Sequence, residues 1–164
     1  MNSEENKQHK MSGGNYRNFF LMLGLSFVAM YITMYGNTYE WDHVYFSMTR
    51  FYMVCLGISA MAVIMLTLML KMYKNKKKNI GIYVGSLVLF LIALTLVRAQ
   101  RPVIGDVLYM RAMIPHHSIA ILASKRADID DPEVKKLAKE IIEAQEREIA
   151  QMKKLIYRLE SQKD

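Results

Sequence analysis

Apolar residues crowd into three blocks of this chain, at about 19–35, 51–70 and 80–97, and no charge interrupts any of them. Each block holds close to the ~20 residues that cross ~30 Å of hydrocarbon as a helix. The blocks therefore predict three transmembrane helices within a region spanning 19–97. Past residue 98 the pattern changes. Val103, Val107, Met110, Ile114, His117 and Ile121 recur at three- and four-residue steps, which is one face of a helix. Tyr109, Met113, His116, Ala120 and Ala123 form a second row beside it. Pro102 is placed to open this helix, and Pro115 predicts a kink or restart because it removes a backbone donor and crowds the carbonyl at Arg111. Residues 128–132 read as a turn, with Asp131 as N-cap and Pro132 as first helical residue. The next helix carries a long apolar stripe: Val134, Leu137, Ala138, Ile141, Ile142, Gln145, Ile149, Met152, Leu155, Ile156 and Leu159. The chain is thus expected to be all-α, with three transmembrane helices followed by an antiparallel αα-hairpin over 98–164. Two helices make a poor core alone, so the hairpin is expected to associate with further copies, as a homo-oligomer.

The first block is followed by Tyr-Gly-Asn-Thr-Tyr39 and no small-residue cleavage site, so it reads as a permanent span after a short polar tail, residues 1–18. Gly24, Gly57, Ser59, Gly81, Gly85 and Ser86 suit close helix packing. Tyr31, Tyr35, Tyr39, Trp41, Tyr45, Phe46, Phe51 and Tyr52 gather around one loop and suggest an interfacial aromatic belt.

The net charge of +7 raises the question of nucleic acid, and its location answers it. Residues 1–18 and 71–79 together hold +6, whereas the tail from Arg98 balances 13 bases against 11 acids. The excess flanks the apolar blocks, where it sets topology. A nucleic-acid footprint would need a basic face on the folded domain, so a nucleic-acid partner is not expected. With the N-terminus in the cytoplasm, the inner flanks carry eight basic residues and the outer flanks only Arg50, Arg98 and Arg101. This favours a multi-pass protein of a cell membrane with its hairpin outside the cytoplasm. The single cysteine, Cys55, lies in the second block and reads as an apolar packing residue.

Chemistry concentrates in the run Met110-Arg-Ala-Met113-Ile-Pro115-His116-His117. Copper takes thioether and imidazole ligands. Met113 can share an ion with His116 or His117, since helical residues three or four apart share a face. Met110 and His117 are seven apart, about two turns, and suit adjacent ions or one ion completed by another helix. On the second hairpin helix, Gln145 and Glu148 could hydrogen-bond the histidines and Met152 could add a thioether. The same residues also read as packing: methionine fills cores, and a histidine on an apolar face is commonly a hydrogen-bonded core residue. His43, near Met48, is a weaker candidate, and the 14 methionines are ordinarily lipid-compatible apolar residues. Lys135, Lys136, Lys139, Glu140, Glu143, Glu146, Arg147, Lys153 and Lys154 read mostly as a solvated face. No phosphate-binding glycine loop, nucleophile elbow or His-Glu-x-x-His is present, and Met113 and Ile114 stand where a di-iron Glu-x-x-His would need glutamate. The chain reads as a binding protein rather than an enzyme.

The runs Tyr109-Met-Arg-Ala-Met-Ile-Pro-His-His-Ser-Ile-Ala120, Asp131-Pro-Glu-Val-Lys-Lys-Leu-Ala138 and Ile141-Ile-Glu-Ala-Gln-Glu-Arg-Glu-Ile-Ala-Gln-Met152 resemble the DUF305 family over about the last 60 residues. The resemblance implies a bacterial, ferritin-like helical domain of a kind often secreted or membrane-anchored. Some relatives bind copper and support copper resistance. It makes Met110, Met113, His116, His117 and Met152 the candidate copper ligands, and it suits a bacterial inner membrane. Longer relatives repeat the helical unit, whereas this chain has one copy. Ser118 stands where many relatives carry Gln. The expected function is a membrane-anchored copper module for buffering, handover or resistance. The alternative is a metal-free structural or regulatory module acting through its last helix.

Overall fold

The computed structural model describes residues 3–100 and 103–162. Their regular structure is entirely helical: α1 Ser3–Thr33, a single 3-10 turn at Trp41–His43, α2 Met48–Leu68, α3 Lys76–Ala99, α4 Asp106–Arg126 and α5 Pro132–Ser161. They separate into two compact units. One joins the chain up to residue 32 with 51–99, and the other joins 33–50 with the chain from residue 100 onward.

The first unit holds three helices long and apolar enough to cross a membrane, at Tyr16–Thr33, Met48–Leu68 and Lys76–Ala99. Leu21, Leu25, Ile32, Leu68 and Ile80 are each more than half exposed, a surface compatible with lipid rather than water. One end of the unit is polar and closed. Tyr16 Oη donates to Asn79 Oδ1 at 2.6 Å, Asn79 Nδ2 donates to the Tyr73 carbonyl at 2.7 Å, and the Tyr73 ring packs on Tyr16 and Phe19. The buried amide is thus satisfied. Among the glycines, Gly57 is the close approach: a Cβ there would lie 2.8 Å from the tip of Met30. Gly24, Gly81 and Gly85 differ from the packing expectation. Nothing stands within 4 Å of a Cβ at any of them, and they line an apolar groove of about 680 Å³ with Phe20, Ile58 and Leu89.

The second unit is built on the hairpin. Arg111–Glu160, His117–Glu148 and Lys125–Glu146 pair in descending order along α5, so α4 and α5 run antiparallel. Met110, Ile114 and Ile121 from α4 meet Ile149 and Ile156 from α5, with Val107, Met152, Leu155 and Leu159 packed around them. Asp131 caps α5 as expected, its carboxylate accepting from the backbone N–H groups of Glu133 and Val134 at 2.8 and 3.0 Å. Pro115 does not break α4, which runs through it with the ring buried. Pro102 lies outside the described residues, and α4 begins at Asp106 after an extended Gly105. The preceding helix α3 stops at Ala99, where Gln100 takes a left-handed φ of 56° that Gly or Asn would adopt with less strain.

Residues 33–50 complete this unit. The segment is stitched to itself. Arg50 donates to the Met34 carbonyl at 2.7 Å and lies over the Tyr35 ring, while Tyr35 Oη donates to the Tyr45 carbonyl at 2.9 Å and accepts from Ser47 N at 3.1 Å. The result is a compact loop of the Ω type. It packs on the hairpin: Tyr39 and Tyr45 lie against the apolar core, and Tyr39 N donates to Ser118 Oγ at 2.8 Å. These two tyrosines therefore depart from the expected interfacial belt. The seam between two amphipathic helices stays open along its edges, and aromatic rings with large apolar area close one of them.

Ser118 is fully buried, so its hydroxyl is the fixed point of that contact. Ser118→Ala strands the Tyr39 N–H, at a cost of ~1–3 kcal/mol. Hydrogen exchange on the full chain in detergent is expected to show the Tyr39 amide opening roughly tenfold faster or more, with α5 protection retained. Unchanged exchange at Tyr39 contradicts the docking.

Candidate metal centre

Along α4 the helical period sorts the candidate ligands by face. Met110 lies in the apolar core at 6% exposure, in line with Ile114 and Ile121. His117 shares that line, with its side chain 16% exposed. His116 is turned to solvent, its ring centre 6.2 Å from that of His117 and tilted by 59°. Met113 is partly buried. From α5, Met152 packs against the core that holds Met110. The structure thus brings Met110 and Met152 into one core and sets the two imidazoles side by side. Gln145 is partly buried one turn before Glu148.

Of the two polar residues expected to hydrogen-bond the histidines, Glu148 lies close to one of them without bonding it. Its Oε2 lies 3.2 Å from His117 Nδ1. The carboxylate sits off the line of a ring N–H, so Nδ1 is buried, close to an anion and without a hydrogen bond. Burial pushes the His117 pKa below the ordinary histidine value. The Glu148 carboxylate raises it and His116 lowers it further, and burial prevails. A ring held neutral near pH 7 keeps a lone pair for a metal, and a carboxylate beside the other nitrogen orients such a ring. Imidazole together with thioether sulfur is a donor set that fits a soft or borderline ion.

A second cluster was only partly legible. Glu40, Asp42 and His43 place one ligand atom each within 4.8 Å of one another. His43 is 6% exposed and its Nδ1 lies 3.0 Å from Ser118 Oγ. Lys153, expected on the solvated face, instead donates from Nζ to Asp42 Oδ2. The Lys153 hydrogen bond, helped by its charge, holds the Asp42 carboxyl below its usual range against the opposing effect of desolvation. Lys125 donates to Glu146 at 2.9 Å and lies 4.4 Å from the centre of the Tyr39 ring. The Glu-x-Asp-His spacing in a loop was the available signal. The position of Ser118 inside α4, on neither apolar row, was the other.

Residues 94–163 match the family model described as a domain of unknown function, DUF305. An uncharacterized protein of Acanthamoeba polyphaga mimivirus is 33% identical over 141 residues, covering 83% of this chain and 89% of that relative. The chain belongs to the DUF305 family. That alignment is too long to lie within the DUF305 match, so the likeness reaches into the three apolar helices. No solved structure matches the chain. Within this DUF305 hairpin, His117 on α4 lies beside Glu148 on α5, and both helices fall within the family match.

The titration of His117 tests the site without metal. The unfolded chain takes up this proton near pH ~6.5 and the folded chain only below it. The ring's contribution to stability is therefore intact above ~6.5 and is lost as pH falls from there through the lowered folded value. NMR titration of the metal-free protein should place the His117 midpoint below ~6.5. Glu148→Gln should lower it further, because the carboxylate raises it. A midpoint at or above ~6.5 contradicts the burial argument.

Proposed function

We propose that this DUF305 protein is a membrane-anchored, non-catalytic copper-binding module. The carrying observation is the His117 ring, mostly buried and held neutral, with one nitrogen unpaired beside Glu148 and the His116 ring next to it. His116, His117 and Met113 supply ligands on α4, and Met110 and Met152 offer thioethers from the core beneath. In the metal-bound site Glu148 would orient the His117 ring from beside Nδ1, with Gln145 one turn away on α5. Soft sulfur with imidazole suits copper over hard cations. The basic flanks at 1–18 and 71–79 support an orientation with the hairpin outside the cytoplasm of a bacterial inner membrane, where it would buffer or hand over copper. A second copy is a fitting partner for the first half of the α5 stripe. Val134 and Leu137 are 47% and 55% exposed there, and a ferritin-like bundle would cover them. The same exposed pair also favours a second reading, in which α5 recruits a partner and the histidines only pack.

The test is Cu(I) competition against a chromogenic chelator on the full chain in detergent. The His116→Ala, His117→Ala double variant is expected to weaken binding at least ~100-fold, and Glu148→Gln by ~10–100-fold, the usual effect of losing a ligand-orienting group. Uptake indifferent to both substitutions overturns the proposal in favour of the partner-binding reading.

A further inference from the structure

The cluster on the loop has the makings of a separate site for a harder ion. Three features distinguish it from an ordinary acidic surface. First, the imidazole at its centre is buried: the His43 side chain is 8% exposed, while those of Glu40 and Asp42 are 56% and 64% exposed. Second, the ring is aimed. Nδ1 is held at 3.0 Å by Ser118 Oγ, which turns Nε2 toward Asp42 Oδ1 at 3.6 Å and Glu40 Oε2 at 3.7 Å. Both separations exceed a hydrogen bond, so Nε2 faces two anionic oxygens without bonding either. Third, they match coordination geometry. Two ligand atoms on a tetrahedral ion with bonds of ~2.1 Å lie ~3.4 Å apart, so each carboxylate oxygen is within a few tenths of an ångström of that spacing from Nε2, and all three ligand atoms lie within 4.8 Å of one another. A pocket of about 240 Å³, lined by Tyr39, Glu40, His43, Glu146 and Lys153 among others, adjoins the cluster and leaves room for a water or an exogenous ligand.

We propose that Glu40, Asp42 and His43 form a second metal site, specific for a divalent ion of the zinc class. Two carboxylates and one imidazole are hard to borderline donors and contain no sulfur, which disfavours Cu(I). In the loaded site His43 binds through Nε2 and its Nδ1–H donates to Ser118 Oγ, the arrangement in which a partner on the far nitrogen fixes a metal-binding imidazole. Asp42 Oδ1 ligates while Oδ2 stays with Lys153. The ion thereby ties the loop to both hairpin helices, through Ser118 on α4 and Lys153 on α5. Lys153 opposes the ion, since its positive charge already occupies Asp42. The site is independent of the copper proposal, because it uses none of the same residues.

The experiment is Zn²⁺ titration calorimetry on the full chain in detergent, in the His116→Ala, His117→Ala background so that those imidazoles take no part. One Zn²⁺ is expected to bind. Glu40→Gln, an exposed residue whose loss leaves the loop's packing intact, should weaken it at least tenfold, and His43→Gln more. Lys153→Gln should tighten it several-fold by releasing Asp42. Cu(I) affinity of the otherwise native chain should not change with Glu40→Gln, which separates failure here from failure of the copper site. Absence of Zn²⁺ binding, or binding that is indifferent to Glu40→Gln and His43→Gln, overturns the proposal and leaves the cluster as a charge-paired loop. Weaker binding in Lys153→Gln overturns the assigned role of Asp42.

Discussion

A two-helix hairpin buries one stripe per helix and leaves the edges of the seam between them open to water. That constraint governs the second unit of this protein. Residues 33–50 close one edge with Tyr39 and Tyr45, and the contact is keyed to a serine hydroxyl with no exposure at all. A buried hydroxyl without partners would cost a few kcal/mol, so Ser118 demands what the loop supplies: the Tyr39 N–H and the His43 ring. Burial of one small polar group thus sets the register of a whole loop against α4. Three crossings of a membrane would leave this loop and the hairpin on the same face, which is what their packing together requires.

From that docking follows a division of labour within three consecutive residues. Successive side chains on a helix diverge by ~100°. His116 is turned to solvent, His117 toward Glu148 on α5, and Ser118 toward the loop. One turn of α4 therefore addresses two chemically different environments. On one side are imidazoles above a core containing Met110 and Met152, and on the other is an oxygen-rich cluster around His43. The softer donors lie on the hairpin shared with the DUF305 family, and the harder ones come from the loop between the first two apolar helices.

What the sequence made legible was local. Charge-free apolar runs, the Asp131-Pro132 start of α5 and the three- and four-residue periodicity each depend on neighbours along the chain, and a helix covers most of each such run, while α1 already begins at Ser3 within the expected polar tail and α4 only at Asp106. The contact of His117 with Glu148 was also accessible, since antiparallel helices joined by a short turn bring such positions together. The loop was not. Residues 36–47 carry no period, so their tyrosines read equally as lipid-facing or core-facing, and Lys153 read as solvated because its partner Asp42 lies 111 positions away. Pro115 misled in the other direction. Proline weakens a helix by removing one hydrogen bond, but its ring is fully buried here, and α4 continues through it as one helix without a restart.

The central claim is that the paired histidines of the hairpin hold copper together with methionine sulfur. X-ray absorption at the copper edge of the full-length protein, loaded with one equivalent of Cu(I), addresses it most directly. The account predicts a shell of imidazole nitrogen together with at least one sulfur scatterer, with the imidazole signal lost when His116 and His117 are replaced. A shell of light oxygen or nitrogen scatterers alone, or one that survives loss of both histidines, would contradict it.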